Sequence, residues 1–192
     1  YAERGPDKQD LAHLKRFISE LPPQARVCDL GSGNGWASVV LRDAGFDVVP
    51  VDGSAGLAAE AKARHGLDVR VMTFEEFSFD NEFDGLWAAW SLHHAKRAAF
   101  PDLLARVGTA VRPGGIVFIS IKGGSGERRD RLDRFYAYYE MDELLGLIEE
   151  RIGADVLLRE SRDGEGFDGS RTPIHLLMIR KRAVNAPTRQ DP

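Results

Sequence analysis

Val27-Cys28-Asp29-Leu30-Gly31-Ser32-Gly33-Asn34-Gly35 is a short apolar run that enters a cluster of glycines. Trp36, Val39, Val40 and Ala44 follow at helical spacing, and Gly45 ends the pattern. A strand therefore feeds through a glycine turn into a helix with a glycine stop. Glycines in such a turn permit positive φ and let a ligand touch the backbone. An open α/β sheet binds its ligands at the carboxyl ends of the strands, near the switch in strand order. Asp52 lies 21 residues past Gly31, at the end of the next apolar run, where a carboxylate can accept from both hydroxyls of a ribose. A dinucleotide fingerprint would place glycine or alanine at position 36 to let the helix approach a diphosphate. Trp36 stands there, the spacing is G-x-G-x-G, and Asp29 precedes the first glycine by two residues. A carboxylate in that place repels a diphosphate and suits a cation such as an ammonium or a sulfonium. No Gly-Lys-Ser/Thr follows, so phosphate-loop chemistry is absent.

The pattern repeats outward from this stretch. Upstream, Asp10 can cap a helix over 11–20 with Leu11, Leu14, Phe17 and Ile18 on one face, ended by Leu21-Pro22-Pro23. Downstream, 47–52 reads as a second strand despite Pro50, which fits poorly in a central strand. Ser54 caps an Ala-rich helix that ends at Gly66, with Glu60 and Arg64 paired on its outer face. Further strands are predicted over 68–72, 83–90, 116–121, 155–159 and 174–180, and further helices over 100–111 and 140–151. The stretch 161–172, rich in glycine and charge, reads as a loop. Glu127-Arg128-Arg129-Asp130-Arg131 is mixed in sign and reads as a solvated helix face. Alternating strand and helix means a layered α/β fold with a mainly parallel sheet. One domain is expected over 1–182, with 1–24 as an N-terminal helix and lid, 122–152 on the substrate side, and 183–192 as a disordered tail.

Composition bounds the function. A chain of 192 residues buries about 70% of its unfolded surface, enough for one ordinary core. Hydrophobic residues make up 43% and charged residues 29%, as in a globular protein. The single cysteine, Cys28, excludes an internal disulfide and a multi-cysteine metal cage, and points to a cytoplasmic setting. The net charge of −4 argues against a broad nucleic-acid surface. No apolar run reaches the roughly 18 residues of a membrane span. The first residue is Tyr1 and not Met, so a preceding segment is expected.

Taken in order, four motifs resemble the class I S-adenosylmethionine-dependent methyltransferases: 27–35, Val49-Pro50-Val51-Asp52-Gly53-Ser54, Phe83-Asp84-Gly85-Leu86-Trp87-Ala88-Ala89-Trp90-Ser91-Leu92-His93-His94, and Arg112-Pro113-Gly114-Gly115. The resemblance implies a three-layer, doubly wound, seven-stranded sheet in the order 3-2-1-4-5-7-6 with strand 7 antiparallel. It implies that the backbone of Gly31, Ser32 and Gly33 lines the methionine part of S-adenosylmethionine, that Asp29 helps hold its ammonium, and that Asp52 and Gly53 take the ribose. Thr73 and Phe74 would border the adenine, the backbone of Trp90 would touch the amino-acid end, and Arg4 could pair the cofactor carboxylate. Many members carry an acid where Thr73 stands, so adenine contact here can shift to Phe74 and Glu75.

For the acceptor, the sequence lacks the Asn/Asp-Pro-Pro-aromatic run of amino-methylating enzymes, a cysteine after the fourth strand, and the carboxylate cluster that would hold Mg²⁺. No metal is expected. His94 is the candidate base or orienting group, and Tyr139 the candidate catalytic aromatic in a wall formed by 135–139. Lys122 reads as a solvated rim residue. The resulting expectation is transfer of a methyl group to a small-molecule acceptor, without nucleic acid or membrane. The alternatives are an RNA or protein methyltransferase using the Arg128–Arg134 stripe, and a cofactor-binding subunit without chemistry of its own. A nicotinamide oxidoreductase is disfavoured by Trp36.

Overall fold

Side chains alternate across the central strands and so divide the core into two layers. On the strand Phe83–Ala89, Leu86 and Ala88 face one way and Trp87 the other. The computed structural model describes residues 8–165 and 171–183. Arg4 and the tail beyond 183 lie outside the described residues. In chain order the elements are α1 (Lys8–Ser19), β1 (Arg26–Leu30), α2 (Trp36–Asp43), β2 (Asp47–Asp52), α3 (Ala55–His65), β3 (Arg70–Val71) and β4 (Phe83–Ala89). A 3-10 turn at Leu92–His94 leads to α4 (Phe100–Ala110), β5 (Val111–Lys122), β6 (Glu127–Arg129), β7 (Phe135–Ala137), α5 (Met141–Arg151), β8 (Ala154–Glu165) and β9 (Arg171–Lys181).

The main sheet has the order β3-β2-β1-β4-β5-β9-β8, with β9 antiparallel to both of its neighbours. This is the sheet the resemblance implies, once the separate two-stranded hairpin β6–β7 is set aside. On one face, Leu144 and Ile148 of α5 and Leu103, Leu104 and Val107 of α4 pack with Leu86, Val117, Ile119 and Leu177. On the other, Leu14 and Phe17 of α1 and Leu41 of α2 pack with Val27, Trp87 and Phe118. Trp87 stacks on Phe118 at 4.1 Å between ring centres, and Phe17 leans on Trp87 at 5.4 Å. The strand order reverses between β1 and β4, so the connections leaving their carboxyl ends diverge and open a crevice there.

Local sequence accounts for most element ends. Ser54 Oγ accepts from the Leu57 N–H, and Gly66 closes α3 in the left-handed conformation. Glu60 and Arg64 pair at 2.8 Å. Pro50 is tolerated because β3 lies alongside β2 only at Val51 and Asp52. Arg112-Pro113-Gly114-Gly115 forms an irregularity within β5: Phe83 pairs with Val111, but Gly85 pairs with Ile116.

Three expectations are corrected. Glu127–Arg131 is not a helix; 127–129 is β6, paired with β7 through Arg128↔Tyr136. Its charges alternate with no buried stripe, and the aromatic partner strand selects an extended form. Within the segment 161–172, the described residues 161–165 and 171–172 are strand, because β8 and β9 stay in register out to Glu165↔Arg171. β8 is an edge strand, so pairing persists there without an apolar repeat. The third strand shrinks from 68–72 to Arg70–Val71, whose outer edge has no partner strand.

Candidate active site at the β1–β4 crevice

The glycine loop is shaped by β2. The N–H groups of Gly31 and Ser32 both donate to the Val51 carbonyl, at 2.7 and 3.0 Å. The Gly33 N–H donates to Asp52 Oδ2 at 2.8 Å, and the Gly35 N–H to the Ser32 carbonyl at 2.9 Å. These donors are used inside the protein, so the loop is not a nest of N–H groups for a phosphate. Gly31 has φ +79°, and a Cβ there would stand 2.2 Å from Ser91 Cβ. The loop and the end of β4 can approach this closely only with glycine at 31.

Together they line a cavity of about 410 Å³. Gly31, Gly33, Asp52, Gly53, Thr73, Phe74, Trp90 and His94 all face it, joined by Ser91, Glu75 and Arg134. Leu30, Val51, Leu57 and Met72 add an apolar floor. Nine of the residues expected from sequence, Glu75 included, are thus brought to one crevice.

Asp52 is held from both sides, with Oδ1 accepting from the Ser54 N–H at 2.8 Å and Oδ2 from Gly33. Each carboxylate oxygen has a second lone pair for a ligand hydroxyl. Thr73 and Glu76 form a reciprocal cap: both the N–H and the hydroxyl of Thr73 donate to Glu76, and the Glu76 N–H donates to Thr73 Oγ1. Those bonds from Thr73 hold the Glu76 carboxyl below its usual pKa. The cap occupies the Thr73 hydroxyl and leaves Phe74 and Glu75 facing the cavity. Ser91 Oγ is buried at the Gly31 contact and has no hydrogen-bond partner among the described residues. An adenosyl group with a polar amino-acid end fits this lining: a carboxylate for a diol, apolar walls for a base, and a buried hydroxyl in need of a partner.

Asp29 lies beneath the loop and the Ser32 side chain is buried within it; neither lines the cavity. Asp29 is 2% exposed and accepts from Ser38 Oγ at 2.6 Å. Burial pushes its pKa up to about 7, and Asp52 adds to the rise, against the lowering effect of Ser38. Nothing in the sequence marks Ser38: the apolar positions Trp36, Val39 and Val40 are half-buried, and the buried face of α2 is Ala37, Ser38 and Leu41.

Trp90 has φ +59°, and its N–H donates to Ser120 Oγ at 2.9 Å. Its indole Nε1 donates to Asp10 Oδ2 at 3.3 Å, which ties α1 to the crevice. His94 sits between His93 and Tyr136, with ring centres 4.6 and 4.8 Å away. Its Nδ1 is 2.9 Å from the Phe135 carbonyl. A carbonyl only accepts, so Nδ1 carries the proton and Nε2 the lone pair. Desolvation lowers the His94 pKa, outweighing the Phe135 carbonyl, and the positive charges of Arg134 and Lys122 add to the fall.

Two expectations on this side change. Tyr139 does not line the cavity: it is 1% exposed, stacks on Phe100 at 4.3 Å, and lies under the Arg97 guanidinium. Tyr139 follows β7 and bridges Gly123, on the side that carries Ala137 into the core, and Tyr136 is the aromatic beside His94. Lys122 is not a rim residue; it is 5% exposed, with Nζ 4.0 Å from the centre of the Tyr136 ring. Among the described residues no group of histidines, cysteines and carboxylates could hold a metal ion, and no helix is long and apolar enough to cross a membrane.

Comparison with known proteins agrees with this geometry. Residues 27–115 match the family described as methyltransferase domain. An uncharacterized methyltransferase of Staphylococcus carnosus (strain TM300) is 31% identical over 86 residues, 44% of this chain and 42% of that protein. The glycine/sarcosine N-methyltransferase of Halorhodospira halochloris is 28% identical over 176 residues, 86% of this chain and 65% of that protein. The chain thus spans less than two thirds of these relatives. The crystal structure of Burkholderia thailandensis 1,6-didemethyltoxoflavin-N1-methyltransferase, with bound 1,6-didemethyltoxoflavin and S-adenosylhomocysteine, shares the fold. Its TM-score is 0.68 at 24% identity, covering 91% of this chain and 80% of that one. The sheet order, the glycine loop and the matched stretch agree: residues 27–115 are similar to a methyltransferase domain, carried on a sheet of the fold seen in methyltransferases of known structure.

Proposed function

We propose that this domain transfers a methyl group from S-adenosylmethionine to a small-molecule acceptor. The observation that carries the reading is a single crevice with a carboxylate-bearing, glycine-lined end at Asp52 and Gly31 and a basic, aromatic end at His94 and Arg134. The bound donor supplies a sulfonium methyl, whose C–S bond breaks with its electron pair going to sulfur as the bond to the acceptor forms. Asp52 holds the ribose diol, and Phe74 and Glu75 border the adenine. The Trp90 carbonyl accepts from the ammonium, Asp29 attracts it only at a distance from behind the glycine loop, and Ser91 Oγ gains a hydrogen-bond partner at the amino-acid end. His94 orients the acceptor through Nε2 and takes its proton where one must leave. Positioning and exclusion of water do most of the work in such a displacement.

The small-molecule reading is supported by two similar proteins, whose names state glycine/sarcosine and 1,6-didemethyltoxoflavin as the compounds concerned. It is tested by incubating the isolated chain with S-adenosylmethionine labelled in the methyl group and a deproteinised cell extract containing RNA. Label should collect in the low-molecular-mass fraction; label in RNA or added protein would overturn the reading. His94→Gln should slow this transfer about 100-fold or more, while calorimetry shows S-adenosylhomocysteine affinity essentially unchanged. Because the His94 pKa is depressed, its unprotonated form persists as pH falls, and transfer should hold its rate to below the ordinary histidine range.

A further inference from the structure

The basic end of the crevice is built by the β6–β7 hairpin, which the cofactor does not require. Asp130 closes its turn. Oδ1 accepts from the N–H groups of Leu132 and Arg134 at 2.9 and 3.0 Å, and Oδ2 accepts from Arg134 Nε and Nη2 at 2.8 and 2.5 Å. The Asp130 side chain is 3% exposed and that of Arg134 is 23% exposed. The acid is therefore a buried strut, and it fixes the plane of a guanidinium that lines the cavity.

Tyr136 and Tyr138 form a platform for three cations. Arg134 lies 5.5 Å and Lys122 4.0 Å from the Tyr136 ring centre, and Arg128 lies 3.6 Å from that of Tyr138. His94 and Arg134 both line the cavity, and the charges of Arg134 and Lys122 help to lower the His94 pKa, behind desolvation. Of the nearby acids among the described residues, Asp130 pairs with Arg134 itself, and Glu127 and Glu143 bind Arg97. The two ends of the cavity thus differ in polarity, with Asp52 and Glu75 at one and Arg134 at the other.

We infer that the methyl acceptor carries a carboxylate, held by Arg134 in the cavity that His94 also lines, with longer-range attraction from the buried Lys122. A planar guanidinium held in one orientation by a buried acid selects a planar oxyanion. This rests on the methyltransferase reading but concerns only the acceptor end.

The test uses benzoate and its neutral isostere benzamide as probes, titrated by calorimetry into the chain saturated with S-adenosylhomocysteine. Benzoate should bind about tenfold tighter than benzamide, the effect of one charge-assisted hydrogen bond. Arg134→Gln should abolish that preference and leave S-adenosylhomocysteine affinity within about twofold. Lys122→Met is the second variant, should the first not fold, and should narrow the preference about threefold. Benzamide binding as well as benzoate would overturn the inference, as would a preference that survives both variants. So would loss of S-adenosylhomocysteine affinity in Arg134→Gln, which would assign the guanidinium to the cofactor. Wild-type chain that binds benzoate but not S-adenosylhomocysteine would refute the methyltransferase reading and leave the carboxylate site standing.

Discussion

The two ends of the crevice are made in different ways. At the cofactor end, main chain meets main chain: loop N–H groups bind β2, Asp52 bridges Gly33 and Ser54, and Gly31 abuts Ser91. At the acceptor end, side chains from three separate stretches meet on a hairpin: His94, Lys122, and Arg134 braced by Asp130. The first is a rigid seat set by strand ends, the second a cluster of long side chains on a short sheet. A seat of the first kind suits a ligand that never varies, whereas the second can be altered residue by residue without disturbing the sheet.

The largest effect separating the two ends should come from Asp52→Ala. It removes an acceptor for two backbone N–H groups and for the ribose, so S-adenosylhomocysteine affinity should fall about 100-fold or more. Calorimetry measures this, and an unchanged far-ultraviolet circular dichroism spectrum would show that the sheet survives. Affinity within twofold of wild type would break the division proposed here.

A smaller effect follows from Asp29. Its folded pKa of about 7 stands above the ordinary carboxylate value, so the folded chain holds a proton that the unfolded chain has released. Ligand-free stability should therefore decline as pH rises from about 4 to 7 and level off above, by roughly 1.4 kcal/mol per pH unit at the steepest. Chemical denaturation across that range checks the slope, which Asp29→Asn should remove. A cationic ligand beside Asp29 favours its charged form, so S-adenosylmethionine should bind more weakly below pH 7, by up to about tenfold per unit. Binding independent of pH between 5.5 and 8 would dissociate Asp29 from the ammonium.

The smallest effect belongs to Thr73→Ala, which removes the reciprocal cap with Glu76. The turn should lose about 1 kcal/mol, seen as a lowered midpoint in urea, and S-adenosylhomocysteine affinity should drop only about two- to threefold. A loss as large as that of Asp52→Ala would mean that Thr73 itself holds the adenine.

How much was legible follows the same division. The loop 29–35, Asp52 and the cap at Ser54 are contiguous and carry their geometry in residue type, so they can be read in one pass. Tyr139 and Lys122 were misjudged for a shared reason. Each ends or follows a strand, and which way a side chain points there depends on the register of the neighbouring backbone, here β9 for Lys122 and Gly123 for Tyr139. Arg134 was visible only as one charge in a basic stripe. Its role depends on Asp130, whose four bonds form when the chain turns back at 130–134.

The sequence alone determined the order of strands and helices, the glycine turn and its partner acid, because these rest on short-range sterics and periodicity that each segment carries with it. The tertiary structure alone decided which face of 122–139 meets the crevice, which tautomer His94 adopts, and how strongly Asp29 holds its proton. Those properties arise from burial and from partners far along the chain, which exist only after the sheet has closed over them.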